Sequence, residues 1–203
     1  MHEVDPAYAD PTPINQSAME VAKWRKGERN RLIGERLAAP AELRTQAAQR
    51  IAYRLTQEIG NPRSLVIGIY WPFRGEPDLR DWGGHTLAQG ARLALPVVVE
   101  KGMPLVFRTW APGERLEKGV WNIPIPSGGE EVVPDIVVAP LVGYDTAGFR
   151  LGYGGGFYDR TLASFHSKPF TIGVGFGFAL LRTIFPQWHD VPMDRLIVES
   201  TTS

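Results

Sequence analysis

Residues 136–160 read Ile136-Val-Val-Ala-Pro-Leu-Val-Gly-Tyr-Asp-Thr-Ala-Gly-Phe-Arg-Leu-Gly-Tyr-Gly-Gly-Gly-Phe-Tyr-Asp-Arg160. The apolar run Ile136 to Val142 predicts a buried strand, and Phe157 to Phe165 can continue as a helix. Between them Gly152, Gly154, Gly155 and Gly156 place four glycines within five positions. A strand, then glycines, then a helix start is the order in which backbone N–H groups turn toward a bound anion. Glycine is needed where the chain visits φ > 0 or approaches a ligand with no Cβ in the way. Arg150 and Arg160 add fixed positive charge suited to forked contacts with phosphate oxygens. The expected phosphate cradle therefore runs through Arg150, Leu151, Gly152, Tyr153, Gly154, Gly155, Gly156, Phe157 and Tyr158. A glycine-rich turn shaped only for packing is the alternative, against which stands the entropic cost of four glycines.

Neither common phosphate motif fits. A P-loop ends in Gly-Lys-Ser/Thr, whereas Phe157-Tyr158 follows the glycines here. The dinucleotide pattern needs glycine at the position Phe157 occupies.

Working outward, residues 1–16 hold Pro6, Pro11 and Pro13 and few apolar side chains, which predicts a loose extension before one domain over residues 17–203. Ala18 to Leu37 reads as a basic helix interrupted by Gly27 and Gly34. Ala41 to Ile59 forms a second helix with Leu43, Ala47, Ile51 and Leu55 on one face and Pro40 at its start. Leu65 to Trp71, Leu93 to Val99, Pro104 to Trp110, Ile136 to Val142 and Thr171 to Phe176 read as strands, with Leu79 to Gln89 helical between the first two. Strands alternating with helices predict an α/β fold, a three-layer sandwich with a mainly parallel sheet. Open sheets of this kind bind ligands at the carboxyl ends of their strands. The Trp71–Glu76 segment and the glycine loop both follow apolar strands, so both can open onto one crevice.

Composition narrows the function classes. The chain has 203 residues, 43% of them hydrophobic and 22% charged, within the range of soluble globular proteins. Lys+Arg and Asp+Glu number 22 each, which argues against coating a nucleic acid or an anionic membrane. There is no cysteine, hence no thiolate metal site and no thiol nucleophile. No apolar run approaches a membrane span and no signal-like apolar core opens the chain, so a cytoplasmic enzyme is expected. His2, His85, His166 and His189 show no ligand spacing.

Asp135 to Asp145 followed by Gly148 to Arg160 resembles the signature of the 5-formyltetrahydrofolate cyclo-ligase (methenyltetrahydrofolate synthetase) family. Three further stretches fit in order. Tyr70-Trp71-Pro72 with Glu76 is similar to the family's folate-side segment, and Trp121-Asn-Ile-Pro-Ile-Pro126 to its middle motif. His189-Asp190 with Asp194 and Ile197-Val-Glu199 is similar to its C-terminal end. The resemblance covers about residues 20 to 200. It implies ATP- and Mg2+-dependent cyclisation of 5-formyltetrahydrofolate to 5,10-methenyltetrahydrofolate, with ADP and phosphate released, by a monomer or weak oligomer.

The resemblance also implies residue roles. Arg25, Lys26 and Arg29 match a basic nucleotide-binding element, although Glu28-Arg29 stands where the family usually shows Leu-Arg; a solvated basic face is the alternative. Asp159 and Asp190 would hold the magnesium of Mg-ATP, as hard oxygen ligands do. Otherwise Asp159 pairs with Arg160 or caps a helix, and Asp190 caps a turn. Trp71, Glu76, Trp121, Phe157 and Tyr158 would contact the folate: aromatic faces suit a flat pterin, and Glu76 can accept from its N–H edge. Core packing is the alternative for each aromatic. Phe157 replaces the first tyrosine of the family's usual Tyr-Tyr pair, which removes one hydroxyl. A non-catalytic metabolite- or nucleotide-binding relative remains the rival reading.

Overall fold

Helix α1 (Ala18–Ala38) begins on a capping box, in which the Glu20 amide donates to Ser17 Oγ at 3.3 Å and Glu20 Oε2 accepts from the Ser17 amide at 2.7 Å. The helix runs unbroken through Gly27 and Gly34, so the expected interruptions are absent. A glycine weakens a helix interior by only about 1 kcal/mol, which neighbouring packing outweighs. The computed structural model describes residues 17–200; the extension expected over residues 1–16 lies outside them.

Helix α2 (Ala41–Ile59) follows at once, with Pro40 as its N-cap and Ala47, Ala48, Ile51 and Leu55 on its buried face. The chain then passes through β1 (Val66–Gly68), α3 (Arg80–Ala88), β2 (Arg92–Val97), β3 (Val106–Thr109), β4 (Leu116–Lys118), β5 (Pro124–Pro126), β6 (Glu131–Val132), β7 (Ile136–Pro140), β8 (Gly143–Tyr144), β9 (Arg150–Leu151), α4 (Phe157–Ser164), β10 (Phe170–Phe176) and β11 (Arg195–Glu199). Seven strands form one sheet in the order β11-β10-β7-β1-β2-β3-β6. The pairs from β11 to β2 are parallel, and β3 and β6 continue the sheet antiparallel. The mainly parallel α/β expectation is met.

Alternation along the strands produces the layers. Ile67, Leu93, Leu95, Ile136, Val138, Ile172 and Val174 point to the face covered by α2 and α3, where they meet Ile51, Leu55 and Trp82. The intervening Val66, Ala94, Val137 and Ala139 point to the other face, against Leu162 of α4 and Met193. Helix α1 lies elsewhere: its Leu32 packs on Leu141, Val142, Leu151 and Leu181 beyond the carboxyl end of β7.

The parallel strands run β2-β1-β7-β10-β11, so successive strands leave β1 in opposite directions. Such a reversal opens a crevice at the carboxyl ends of β1 and β7, where the connections diverge.

Leu32 is 1% exposed and joins α1 to this crevice. Leu32→Ala is expected to cost about 3 kcal/mol, whereas Met19→Ala on the exposed face of the same helix should stay within about 0.5 kcal/mol. Urea unfolding of the two variants checks both. Equal midpoints would mean that α1 is not anchored through Leu32.

Candidate active site

The cleft at the β1/β7 switch is walled by the segments leaving three strands: Tyr70 and Trp71 after β1, Val98 after β2, and Pro140 at the end of β7. The glycine loop, α1 and the β4–β5 hairpin complete it. One end is basic and rich in free amides; the other is aromatic.

At the basic end, Gly154 and Gly156 hold φ of 93° and 63°, while Gly155 keeps an ordinary φ. Alternating backbone signs turn neighbouring N–H groups toward one side. The amides of Gly154, Gly155 and Gly156 donate to no carbonyl among the described residues. Gly156 is also the left-handed N-cap of α4, whose first-turn amides extend the same donor surface. A Cβ on Gly154 would lie 3.3 Å from the Arg29 guanidinium, so the bare backbone is what lets that cation close over the loop.

The arginines divide the work. Arg29 donates Nε to the Gly152 carbonyl at 2.6 Å, and its two outer nitrogens make no hydrogen bond among the described residues. Its pKa is lowered by burial and by neighbouring Arg25, against the opposing pull of Asp190. Arg25 is 8% exposed and fully engaged: Nε reaches the Ile184 carbonyl at 2.9 Å, Nη2 the Phe185 carbonyl at 2.8 Å, and both Nη groups fork onto Asp190. Arg150 places Nη1 at 3.1 Å from both Asp159 Oδ1 and the Val191 carbonyl.

At the aromatic end, Phe73 and Trp121 lie near-parallel with centroids 6.4 Å apart, and Phe157 meets Trp121 edge-on at 6.3 Å. Trp121 is half exposed on the turn between β4 and β5, with the left-handed backbone at φ 55°. Glu76 is 7% exposed beneath this wall and accepts from the Phe73 amide at 2.9 Å. Burial pushes its carboxyl up to about 7, against the opposing pull of Arg36, the Phe73 amide and the Tyr153 hydroxyl.

Most of the sequence-derived site residues line this one cleft: Arg25, Arg29, Trp71, Glu76, Trp121, Arg150, the loop Gly152 to Tyr158, Asp159 and Asp190. Three residues do not join them. Lys26 is exposed outside the cleft, because one residue along a helix turns about 100° from Arg25. Leu151 is fully buried among Leu32, Leu141 and Val142, and holds the loop by packing. Arg160 turns back to donate to the Gly155 carbonyl at 2.5 Å and covers the Phe157 ring, so it braces the loop instead of facing a ligand. A Cβ on Gly155 would sit 2.7 Å from the Phe157 ring, so the ring has to shift to admit one.

Two residues escaped the sequence reading. Phe73 is an aromatic adjoining the quoted Tyr70–Pro72 segment. Arg36 stands at helical spacing from Arg25 and Arg29, and a strict test of that spacing would have selected it in place of Lys26.

The carboxylates are unequal as cation ligands. Asp159 accepts from Arg150 and the Val191 amide through Oδ1 alone, leaving Oδ2 without a hydrogen bond among the described residues. Asp190 commits Oδ1 and Oδ2 to Arg25, and Oδ2 also to the Gln187 amide at 2.6 Å. Burial raises its pKa, but Arg25 and that amide outweigh burial and hold it below the ordinary carboxylate value. No group of three or more His, Cys, Asp or Glu gathers among the described residues. The donor set suits a cation that takes one protein carboxylate and fills its remaining positions from phosphate and water.

Residues 21–199 match the model of the 5-formyltetrahydrofolate cyclo-ligase family. The Escherichia coli K12 5-formyltetrahydrofolate cyclo-ligase is 28% identical over 81% of this chain and 94% of its own length. The Haemophilus influenzae enzyme of the same name is 28% identical over 75% and 86%. Among solved structures, the Aquifex aeolicus 5,10-methenyltetrahydrofolate synthetase superposes with a TM-score of 0.73 at 26% identity, covering 86% of this chain and 89% of that one. The chain belongs to the 5-formyltetrahydrofolate cyclo-ligase family.

The buried Glu76 makes stability depend on pH with a definite sign. Its folded pKa of about 7 lies above the ordinary value of 4.5, so its contribution is fully present below pH 4.5 and is lost as pH rises through 7. At about 1.4 kcal/mol per pKa unit, the loss amounts to ~3 kcal/mol. Glu76→Gln should therefore gain stability over wild type progressively between pH 5 and 8. Urea unfolding at each pH checks this, and a constant difference would show that Glu76 titrates normally.

Proposed function

We infer that the chain catalyses its family's reaction, the ATP-dependent conversion of 5-formyltetrahydrofolate to 5,10-methenyltetrahydrofolate, with ATP at the basic end of the cleft and folate at the aromatic end. The observation that carries this reading is the juxtaposition itself: a loop of free amides and a partly unpaired Arg29 share one cleft with an aromatic wall and a buried carboxylate.

The formyl oxygen is a poor leaving group until it is phosphorylated. Transfer of the γ-phosphoryl group to that oxygen releases ADP and leaves an N5 iminium phosphate. N10 then attacks the iminium carbon and loses its proton to solvent. Departure of phosphate carries the formyl oxygen away and completes the methenyl bridge. Alignment and charge neutralisation dominate such chemistry. The loop amides and Arg29 bind phosphate oxygens, and Arg25, fixed by its carbonyls and Asp190, keeps a positive charge beside them. Trp121, Phe73, Phe157 and Trp71 enclose the pterin and exclude water. Glu76 accepts from the pterin's N–H edge in its ionised form.

Asp159 would hold magnesium through its free oxygen, and Asp190 would serve the ion after releasing Arg25 or support the site through Arg25. When bound, the ion neutralises charge on the β- and γ-phosphates. No helix among the described residues is long and apolar enough to cross a membrane. We place the enzyme in the cytoplasm, as one catalytic unit over residues 17–203, a monomer or weak oligomer without nucleic-acid partners.

Absorbance of the methenyl product should develop only with ATP, magnesium and 5-formyltetrahydrofolate together; binding without turnover would establish the non-catalytic alternative. Arg29→Ala is expected to weaken ATP binding by roughly tenfold or more while folate affinity stays within about twofold. Glu76→Gln should show the reverse pattern. Wild-type folate affinity should fall about tenfold per pH unit below 7 and level off above it, because the ionised carboxylate is the acceptor. Calorimetric titration across pH 5.5–8.5 reads each of these, and a pH-independent wild-type affinity would remove Glu76 from the folate site.

A further inference from the structure

Tyr153 belongs by sequence to the glycine loop, yet its side chain belongs to the opposite half of the cleft. Its backbone lies between Gly152, whose carbonyl accepts from Arg29, and Gly154, which packs under the same guanidinium. Its ring leaves the loop to meet Phe73 edge-on at 5.6 Å and Trp121 at 6.3 Å. Its hydroxyl accepts from Arg36 Nη2 at 2.6 Å. Its own proton goes to the Phe73 carbonyl at 3.4 Å, and the amide of the same Phe73 donates to the Glu76 carboxylate at 2.9 Å.

Arg36 gives the arrangement a fixed end. It is 2% exposed, with Nε on the Arg74 carbonyl at 2.9 Å and Nη1 near the Leu141 carbonyl. Other groups facing Glu76 are the buried hydroxyls of Tyr70 and Tyr158, while Arg36 is the cation that acts on it. A change in position at Glu76 is therefore felt at Phe73, whose carbonyl and ring both meet Tyr153, and Tyr153 is joined directly to Gly154, the first of the three glycines with free amides. Resting on the assignment of folate to Glu76 and ATP to the glycine loop, we propose that Tyr153 is a positioning residue that couples the two substrate sites. Its hydroxyl, held by Arg36, ties Phe73, and through the Phe73 amide the Glu76 carboxylate, to the glycine loop, so that folate and nucleotide each bind more tightly in the presence of the other.

Coupling of this kind is reciprocal: each ligand must change the other's affinity by the same factor. The test uses 5-formyltetrahydrofolate and the ATP analogue with an imide bridge between the β- and γ-phosphates, titrated with magnesium in both orders. Wild type is expected to show a coupling factor of about tenfold. Tyr153→Phe keeps the ring and removes the hydroxyl, so its factor should fall to within about twofold of one while each ligand alone binds within about threefold of wild type. A role in packing alone would instead alter the single affinities or thermal stability and leave the factor intact. Amide exchange on wild type gives a second readout: 5-formyltetrahydrofolate alone should slow exchange at Tyr153 to Gly156. Full coupling in Tyr153→Phe, a wild-type factor of one, or loop exchange unaffected by the folate would each overturn the proposal. That exchange measurement needs no variant, so it decides even if Tyr153→Phe does not fold. Failure of the underlying assignment has a separate signature: Glu76→Gln would leave folate affinity unchanged.

Discussion

Helix α1 presents Arg25, Arg29 and Arg36 on one stripe with Leu32 among them, and each arginine holds a different wall of the cleft. Arg25 fixes the Ile184–Asp190 segment, Arg29 fixes the glycine loop at Gly152, and Arg36 fixes Arg74, Leu141 and Tyr153. The walls also bond to one another, as Arg150 and Asp159 do to Val191, and the helix adds a fixed cation at each of them. Burying guanidinium groups is tolerated only when their donors are satisfied, and backbone carbonyls satisfy most of them here. The exception is the outer face of Arg29, whose pKa is lowered by burial and by Arg25. An incompletely neutralised cation beside free amides is the electrostatic condition for receiving a polyanion.

The parts of the fold legible in the sequence are those whose hydrogen bonds or packing are local and periodic. Helix α2 occupies the expected Ala41 to Ile59, and the buried strands begin within one or two residues of their expected starts. The expected strands extend further than the observed ones because buried apolar residues continue past them: Ile69 and Tyr70 beyond β1, where Tyr70 lines the crevice, and Leu141 and Val142 beyond β7, where they pack under α1. The pairs β4–β5 and β8–β9 left no periodic signal. Strands of two or three residues are defined by a partner across a turn, not by their own pattern.

Within the cleft, residue type was more legible than residue duty. The glycine loop, the basic helix and the folate-side segment do converge, but which cation faces the ligand depends on what else lies near it. Arg160 finds a carbonyl of its own loop, and Arg150 finds Asp159. Asp190 matches Arg25 across the full length of the chain, a pairing that no local spacing encodes. The turn at Trp121 and Asn122 was equally hidden, since both adopt left-handed backbone without being glycine. Such conformations cost free energy and persist only where surroundings over-determine them, as the stacked Phe73 and edge-on Phe157 do for Trp121.

Instability is concentrated on the ligand-facing side of the molecule. The sheet face beneath α2 and α3 is closed by aliphatic side chains such as Ile51, Leu55 and Val138, each fully buried. The cleft instead holds a carboxylate that burial disfavours and a cation whose outer donors are unpaired among the described residues. A carboxylate fully hydrated in the free protein would exchange water for a ligand's N–H groups with little net gain. Glu76 has already lost much of that water on folding, so a matching donor edge restores interactions that the fold withheld. A ligand without those donors leaves the carboxylate unsatisfied and binds correspondingly less well. The cleft thus keeps polar groups incompletely paired among the described residues, and the tight aliphatic core supplies the stability that permits it.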